Sequence, residues 1–356
     1  MTGHANLTKV SRTTRPAPDD VAALFPGLGA HAALATRLHP RRGRPQRRRS
    51  HVGGPLWWPA DEPWPTCVAD HVVPTQTPVP APLLERLAAA RRTRNWADGA
   101  AVLAELASEI PGVSGVDRRD GTAHGQVSRP EPEPTPLVAV AQLRAADVPA
   151  LAPPPGADLL QVLWCPNDHD LDGGGQGPAV SVRWRAEATL PARPGEPPPK
   201  PAASEARYLP HPCVLEPEPV VEYPWWQDLP AGLGYEVHAW DAEHGGRYHR
   251  QLATAPGWKV GGWPAWPTTD AVSLLCNGCG SPMTHLLQID SGEWGDPARW
   301  QPVEESGLRP GTAAHTAATE PTGLIVGHCG MFRVFRCPTC TDSTETGGAS
   351  VRVNLQ

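Results

Sequence analysis

Apolar residues along this chain gather into short runs bounded by proline, glycine and charge, a pattern of brief strands rather than long helices. Leu137 to Leu143 and His285 to Ile289 read as buried strands. Leu159-Leu160-Gln161-Val162-Leu163-Trp164 and Phe332-Arg333-Val334-Phe335 run apolar or alternate over strand length. Val180-Ser181-Val182-Arg183-Trp184 and Val351-Arg352-Val353-Asn354-Leu355 alternate with period two. Helical patterning is confined to Asp19–Phe25, Ala30–Leu38 and an Ala/Leu-rich stretch from Leu83 to Ile110, where Asn95 and Gly99 predict two helices joined by a turn.

Rare residues recur in the same order in the two halves of the chain. His51-Val52-Gly53-Gly54-Pro55-Leu56-Trp57-Trp58-Pro59 is matched by Lys259-Val260-Gly261-Gly262-Trp263-Pro264-Ala265-Trp266-Pro267. Each is followed by an apolar segment that starts with proline and carries a glutamine, Pro136 to Leu143 with Gln142 and Pro282 to Ile289 with Gln288. Each then reaches an apolar run ending in Cys-Pro, at Cys165-Pro166 and Cys337-Pro338. The expected architecture is therefore a β-rich α+β fold with an internal duplication of a strand-rich unit. The expected boundaries are an N-terminal segment with short helices over 1–39 and a first repeat over 40–186 with a helical insertion at about 83–110. A Pro-rich linker over 187–204 and a second repeat over 205–356 complete the chain.

Composition agrees with short elements. The 356 residues include 45 Pro and 35 Gly, and Pro cannot donate to a helix or sheet ladder, so a large helical bundle is excluded as the main architecture. Adding Gly to the hydrophobic 40% gives an ordinary globular apolar share, which excludes wholesale disorder. The net charge of -6 argues against a dedicated nucleic-acid binder. Seven arginines between Arg37 and Arg49 read as a solvated loop, or alternatively as an arm for phosphate or an acidic partner. No window is apolar enough for a membrane span, and the opening MTGHANLTKVSRTTRP has no apolar core, so a cytoplasmic protein is expected. In that compartment clustered cysteines are better read as metal ligands than as disulfides.

Two Cys-x-x-Cys pairs, Cys276–Cys279 and Cys337–Cys340, carry the most specific chemistry. Together they suit a structural zinc site of four thiolates, with Gly280 allowing the backbone to turn back towards the sulfurs. The 57 residues between the pairs are accommodated if the pairs sit at the ends of neighbouring strands, as a clip in the second repeat. His328 and Cys329 are spare donors near the second pair. The remaining Cys67, Cys165 and Cys213 are unpaired in spacing. In the Gly-Gly segments Trp57, Trp58, Trp263 and Trp266 form a candidate partner surface for an extended peptide; the competing reading packs them inward beside a glycine turn.

The segment Lys259 to Trp266, followed by Cys276-x-x-Cys279, Pro282-Met283, Leu286-Leu287-Gln288-Ile289 and Phe332 to Cys340, is similar to the amino-terminal region of programmed cell death protein 2. Over residues 45–340 the chain resembles the bacterial YwqG-like family. The bacterial family has no assigned function, and the resemblance to programmed cell death protein 2 implies a non-enzymatic, chaperone-like binding role towards a basic, ribosomal-type client protein. The acidic excess and Glu216-Pro217-Glu218-Pro219-Val220-Val221-Glu222-Tyr223 suit such a client. The alternatives are a zinc- or thiol-dependent hydrolase, for which no His-Glu-x-x-His or nucleophile-elbow motif is present, and nucleic-acid binding through the Arg37–Arg49 tract.

Overall fold

The computed structural model describes residues 12–69, 71–109, 113–116, 122–129, 134–171, 175–192, 195, 198–201, 204–295, 298–327, 330–340 and 350–356. The chain divides into two compact units, the larger formed by residues up to Pro65 together with Pro136–Gln356 and the smaller by Thr66–Thr135.

Twelve strands build the larger unit's two sheets. In chain order they are β1 (Ala33–Arg37), β2 (Arg41–Arg42), β3 (His51–Val52), β4 (Val138–Arg144), β5 (Leu159–Asp170) and β6 (Gln176–Arg185). The second half supplies β7 (Cys213–Val214), β8 (Glu218–Glu222), β9 (Lys259–Gly261), β10 (Thr284–Asp290), β11 (Met331–Arg336) and β12 (Val351–Leu355). One sheet runs β2-β7-β3-β4-β5-β6 and the other β8-β1-β9-β10-β11-β12, and the pairings are antiparallel. Position by position the two orders differ by six in strand number, counting the twelve in a circle. Each half therefore lends its leading strand to the other half's sheet: β1 lies between β8 and β9, and β7 between β2 and β3.

This exchange corrects the helix expected over Ala30–Leu38. Pro26–His31 forms a short 3-10 turn, and Ala33–Arg37 is a strand paired on both sides. Ala and Leu favour helices only weakly, and two ladders plus the full burial of Ala35 and Leu38 override that preference. The shorter helix at Val21–Leu24 does form, with Asp20 Oδ1 accepting from the Ala22 and Ala23 amides. The helix Ala231–Glu243 had no counterpart in the sequence reading, because its first turns carry Gly232 and Gly234.

Side chains from both sheets meet in one core, in which Val140, Leu160, Val162 and Trp164 pack with Val260, Leu287, Ile289 and Phe332. Burying each such side chain contributes about 1.5–3 kcal/mol. The two glutamines of the repeated pattern lie fully buried in it. Gln142 accepts from the Trp57 amide at 2.8 Å and donates to Arg47 O at 2.6 Å, and Gln288 donates to Gly257 O at 3.0 Å, so each amide fixes a loop that a Gly-Gly segment needs.

The segment Glu216–Tyr223 is not the free acidic face expected of it. It contains β8, where Glu222 is fully buried against Lys259 and Glu218 is bonded to Thr14 and His39, while Glu216 pairs with Arg12. These carboxylates are committed to internal cations and are not available to a client.

In the smaller unit the helices Ala81–Arg92 and Trp96–Glu109 pack through Leu83, Leu87, Val102 and Leu106. The turn expected near Asn95 is present, with Arg94 at φ 54 and the Asn95 side chain accepting from the Asp98 amide. An antiparallel sheet of His71–Pro78, Thr122–Arg129 and Val113–Val116 accompanies them, so the helical insertion belongs to a larger inserted body.

Candidate metal centre

Antiparallel pairing brings the two Cys-x-x-Cys pairs together across their long sequence separation. In the β10–β11 ladder Thr284 stands opposite Arg336, so the start of one strand and the end of the other lie at the same end of the sheet. Cys276–Cys279 precedes β10, and Cys337–Cys340 follows β11 directly. The first pair is a tight loop: the Gly280 amide donates to Cys276 O at 2.9 Å, the Cys276 amide donates to Ser281 O at 2.9 Å, and Gly280 turns at φ 73.

All four sulfurs lie within 4.8 Å of one another. Cys276 Sγ is 3.9 Å from Cys340 Sγ, and Cys279 Sγ is 3.5 Å from Cys337 Sγ. A tetrahedron with metal–sulfur bonds of about 2.3 Å has edges of about 3.8 Å, whereas a disulfide needs about 2.05 Å. The spacing fits four ligands around one ion and not two disulfides. Backbone amides already point at the sulfurs, Gly278 N to Cys276 Sγ at 3.4 Å and Thr339 N and Cys340 N to Cys337 Sγ at 3.4 and 3.3 Å. Such donors stabilise thiolate charge. The Ser281 hydroxyl and then its amide hold the Cys279 thiol down to about 6, while contact with Cys279 pushes Cys340 up to about 12. The four cysteines are placed to bind a metal ion. His328 and Cys329, the spare donors, lie outside the described residues.

The Gly-Gly tryptophans pack inward, which corrects their reading as a partner surface. Trp57, Trp58 and Trp266 are 8%, 5% and 3% exposed, and Trp263 is partly buried. Every indole N–H has an internal acceptor: Trp57 donates to Pro191 O, Trp58 to Glu62 O, Trp263 to His31 O and Trp266 to Asp228 Oδ2. Guanidinium groups cover three of the rings, Arg48 over Trp57, Arg185 over Trp58 and Arg333 over Trp266.

The arginine tract is likewise partly internal. Arg37 is fully buried in β1, with its guanidinium on Thr14 Oγ1, and Arg41 grips Glu305 through Nε at 2.8 Å and Nη2 at 2.7 Å. Of the exposed remainder, Arg42 lies on β2 and Arg44 and Arg49 on the loop after it, so the seven arginines do not form one continuous arm. Of the other cysteines, Cys213 is buried, and burial pushes its thiol up to about 12. In the smaller unit Cys67 Sγ lies 3.7 Å from His71 Nε2.

One feature had no sequence signal. A cleft of about 650 Å³ opens between the helix Ala231–Glu243, the turn Trp226–Asp228 and the loop after Trp266. Asp241 Oδ2 lies 2.7 Å from His249 Nδ1, and its other oxygen caps the π-helical turn Tyr248–Ala253 through the Tyr248 and His249 amides. His249 stacks on Trp225 at 3.8 Å and His238 on Trp226 at 4.3 Å. These residues are scattered over a turn, a helix and a π-turn, so only tertiary structure brings them together.

No protein-family model matches the chain, and no curated protein compared with it does. Among the described residues no helix is long and apolar enough to cross a membrane.

Proposed function

We propose that this chain is a non-enzymatic cytoplasmic binding module, built from two related repeats and clamped by a structural zinc ion, with a chaperone-like role towards a basic protein client. The observation that carries the reading is the closed set of four cysteine sulfurs, all within 4.8 Å of one another. Four thiolates fill a tetrahedral ion, leaving no position for water or substrate, and a soft all-sulfur set suits zinc. When bound, the metal supplies cross-linking between the loop before β10 and the end of β11, and not chemistry on a substrate. Cys276, Cys279, Cys337 and Cys340 would hold it, while the Ser281 and Thr339 segments orient their sulfurs.

The matched strand orders of the two sheets and the recurring Gly-Gly, Gln and Cys-Pro elements support the repeat reading. Similarity of the second-half elements to the amino-terminal region of programmed cell death protein 2 supports the binding role and a client of ribosomal type.

The test is purification of the full chain from its native cell, with metal analysis and identification of stoichiometric partners. One zinc per chain and a defined basic protein are expected. A monomer without zinc that hydrolyses a substrate would overturn the reading.

A further inference from the structure

We propose that the cleft between Trp226–Asp228 and the helix Ala231–Glu243 receives the guanidinium group of an arginine side chain from a basic polypeptide. The proposal rests on the binding-module reading and names the contact chemistry of that module.

The first observation is an imbalance of hydrogen-bonding groups. Gln227 and His249 both line the cleft, and Gln227 Oε1 and His249 Nε2 are shielded from solvent without a hydrogen-bond partner. The Gln227 amide is fixed from the other side. Gln227 Nε2 donates to Asp270 Oδ1 at 2.6 Å, which sets the amide orientation and leaves its oxygen inward of that bond. His249 Nδ1 faces Asp241 Oδ2 at 2.7 Å, which holds the ring in place at the cleft wall. Gln227 Oε1 is therefore an orphan acceptor, and an unsatisfied buried acceptor is costly. A ligand that relieves it must bring a donor.

The second observation is charge. Asp241 and Asp270 line the cleft, and among the described residues no lysine or arginine does. Asp241 has its oxygens engaged by His249 and two backbone amides, so it contributes field, whereas Asp270 is exposed and bonded through Oδ1 alone, leaving Oδ2 for a direct ion pair.

The third is shape. Trp225 and Trp226 are half-buried walls with His249 and His238 stacked on one face of each, and the indole surface left to the cleft suits a flat cation. The same indole-on-guanidinium packing already occurs at the edge of this cleft, where Arg333 lies 4.5 Å over the Trp266 ring. Donor-rich, planar and permanently charged, a guanidinium meets all three conditions; an ammonium lacks the plane, and a neutral amide lacks the charge.

Calorimetric titration of the full, metal-replete chain with a capped Gly-Arg-Gly-Arg-Gly peptide tests this, beside its citrulline analogue, which keeps the shape and loses the charge. Saturable binding is expected, weakened about tenfold or more by citrulline and by Asp270→Asn. Asp270→Asn is a surface change, and an unaltered thermal midpoint and metal content would show that the fold is intact. No saturable binding, equal affinity for the citrulline peptide, or unaltered affinity in Asp270→Asn would overturn the proposal. A client recovered from the native cell that binds Asp270→Asn as tightly as the parent would also sink the cleft while leaving the binding-module reading standing. Peptide binding that behaves as expected with no client recovered would support the cleft and count against the module's client alone.

Discussion

Lys259 and Glu222 form an ion pair with no solvent exposure on either side chain, Nζ lying 2.8 Å from both carboxylate oxygens. The pair pins the second Gly-Gly segment, because Lys259 Nζ also donates to Trp263 O and Glu222 accepts from the Ala255 and Trp263 amides. Burial lowers the Lys259 pKa and the attraction of Glu222 opposes that shift. Removing one partner leaves an uncompensated buried charge. Lys259→Met is expected to destabilise the chain by about 3–5 kcal/mol, and Lys259→Met with Glu222→Gln by clearly less, as read by chemical denaturation. Equal losses in the single and double variants would remove the pair from the account of this turn.

The glycine of the first Gly-Gly segment makes a sharper demand than its composition suggests. Gly53 sits at φ +63, and a Cβ there would lie 2.6 Å from His211 O and 2.7 Å from Pro210 O, both backbone atoms. Gly53→Ala is therefore expected to cost about 3 kcal/mol or more, combining left-handed strain with a clash that no rotamer relieves. Gly156, at φ +82 with nothing within 4 Å of a Cβ, supplies the control, and Gly156→Ala should cost only about 1–2 kcal/mol. Thermal or urea melts of the two variants separate strain from clash.

Asp290 gives the stability curve a recognisable pH signature. Burial raises its carboxyl to about 7, against hydrogen bonds from the Gly292 and Gly257 amides that pull it down. Between about pH 4 and 7 the folded chain thus holds a proton there that the unfolded chain has released, so this group's contribution falls as pH rises. His285 and His51, lowered to about 3 and about 4 by burial, act in the opposite direction: their contribution is complete above about 6.5 and is lost as pH falls. Asp290→Asn should therefore gain on the parent as pH climbs from 4 to 7, by up to about 1.4 kcal/mol per pH unit, and should lose stability more steeply in acid. Denaturation at pH 5 and pH 7 measures the difference, and a constant offset would exclude Asp290 as its source.

Loss of the metal has a local expectation. Cys276→Ser with Cys337→Ser should abolish metal binding and loosen the end of the β10–β11 ladder, where Thr284 faces Arg336, before the rest of that sheet. Hydrogen exchange should show early loss of protection at Thr284 and Arg336. Unchanged exchange and unchanged metal content would refute the clip.

The strands and the cysteine site were legible in the sequence because each depends on local pattern. Val138–Arg144, Thr284–Asp290 and Met331–Arg336 carry their own apolar runs, and thiols at Cys-x-x-Cys spacing announce their chemistry wherever the chain brings them. The strand Ala33–Arg37 was not legible, since its pairing partners at Glu218–Glu222 and Lys259–Gly261 are distant and its Ala/Leu content favours helix. Glu222 looked like surface charge because nothing in EPVVEY reveals that its partner is Lys259 on another strand. The cleft was hidden for the same reason, with Trp225, His249 and Asp270 meeting only in three dimensions.

The exchange of leading strands makes the two halves mutually dependent as folding units. A fragment ending in the linker near Lys200 would keep β1 but lose β8 and β9, the two strands on which it lies, while its own sheet would have a gap between β2 and β3 where β7 belongs. Each fragment is thus the template the other needs. Severing the linker should yield two pieces that are insoluble when made separately and that reassemble when made together, and neither half could be lost from the gene while the other went on folding.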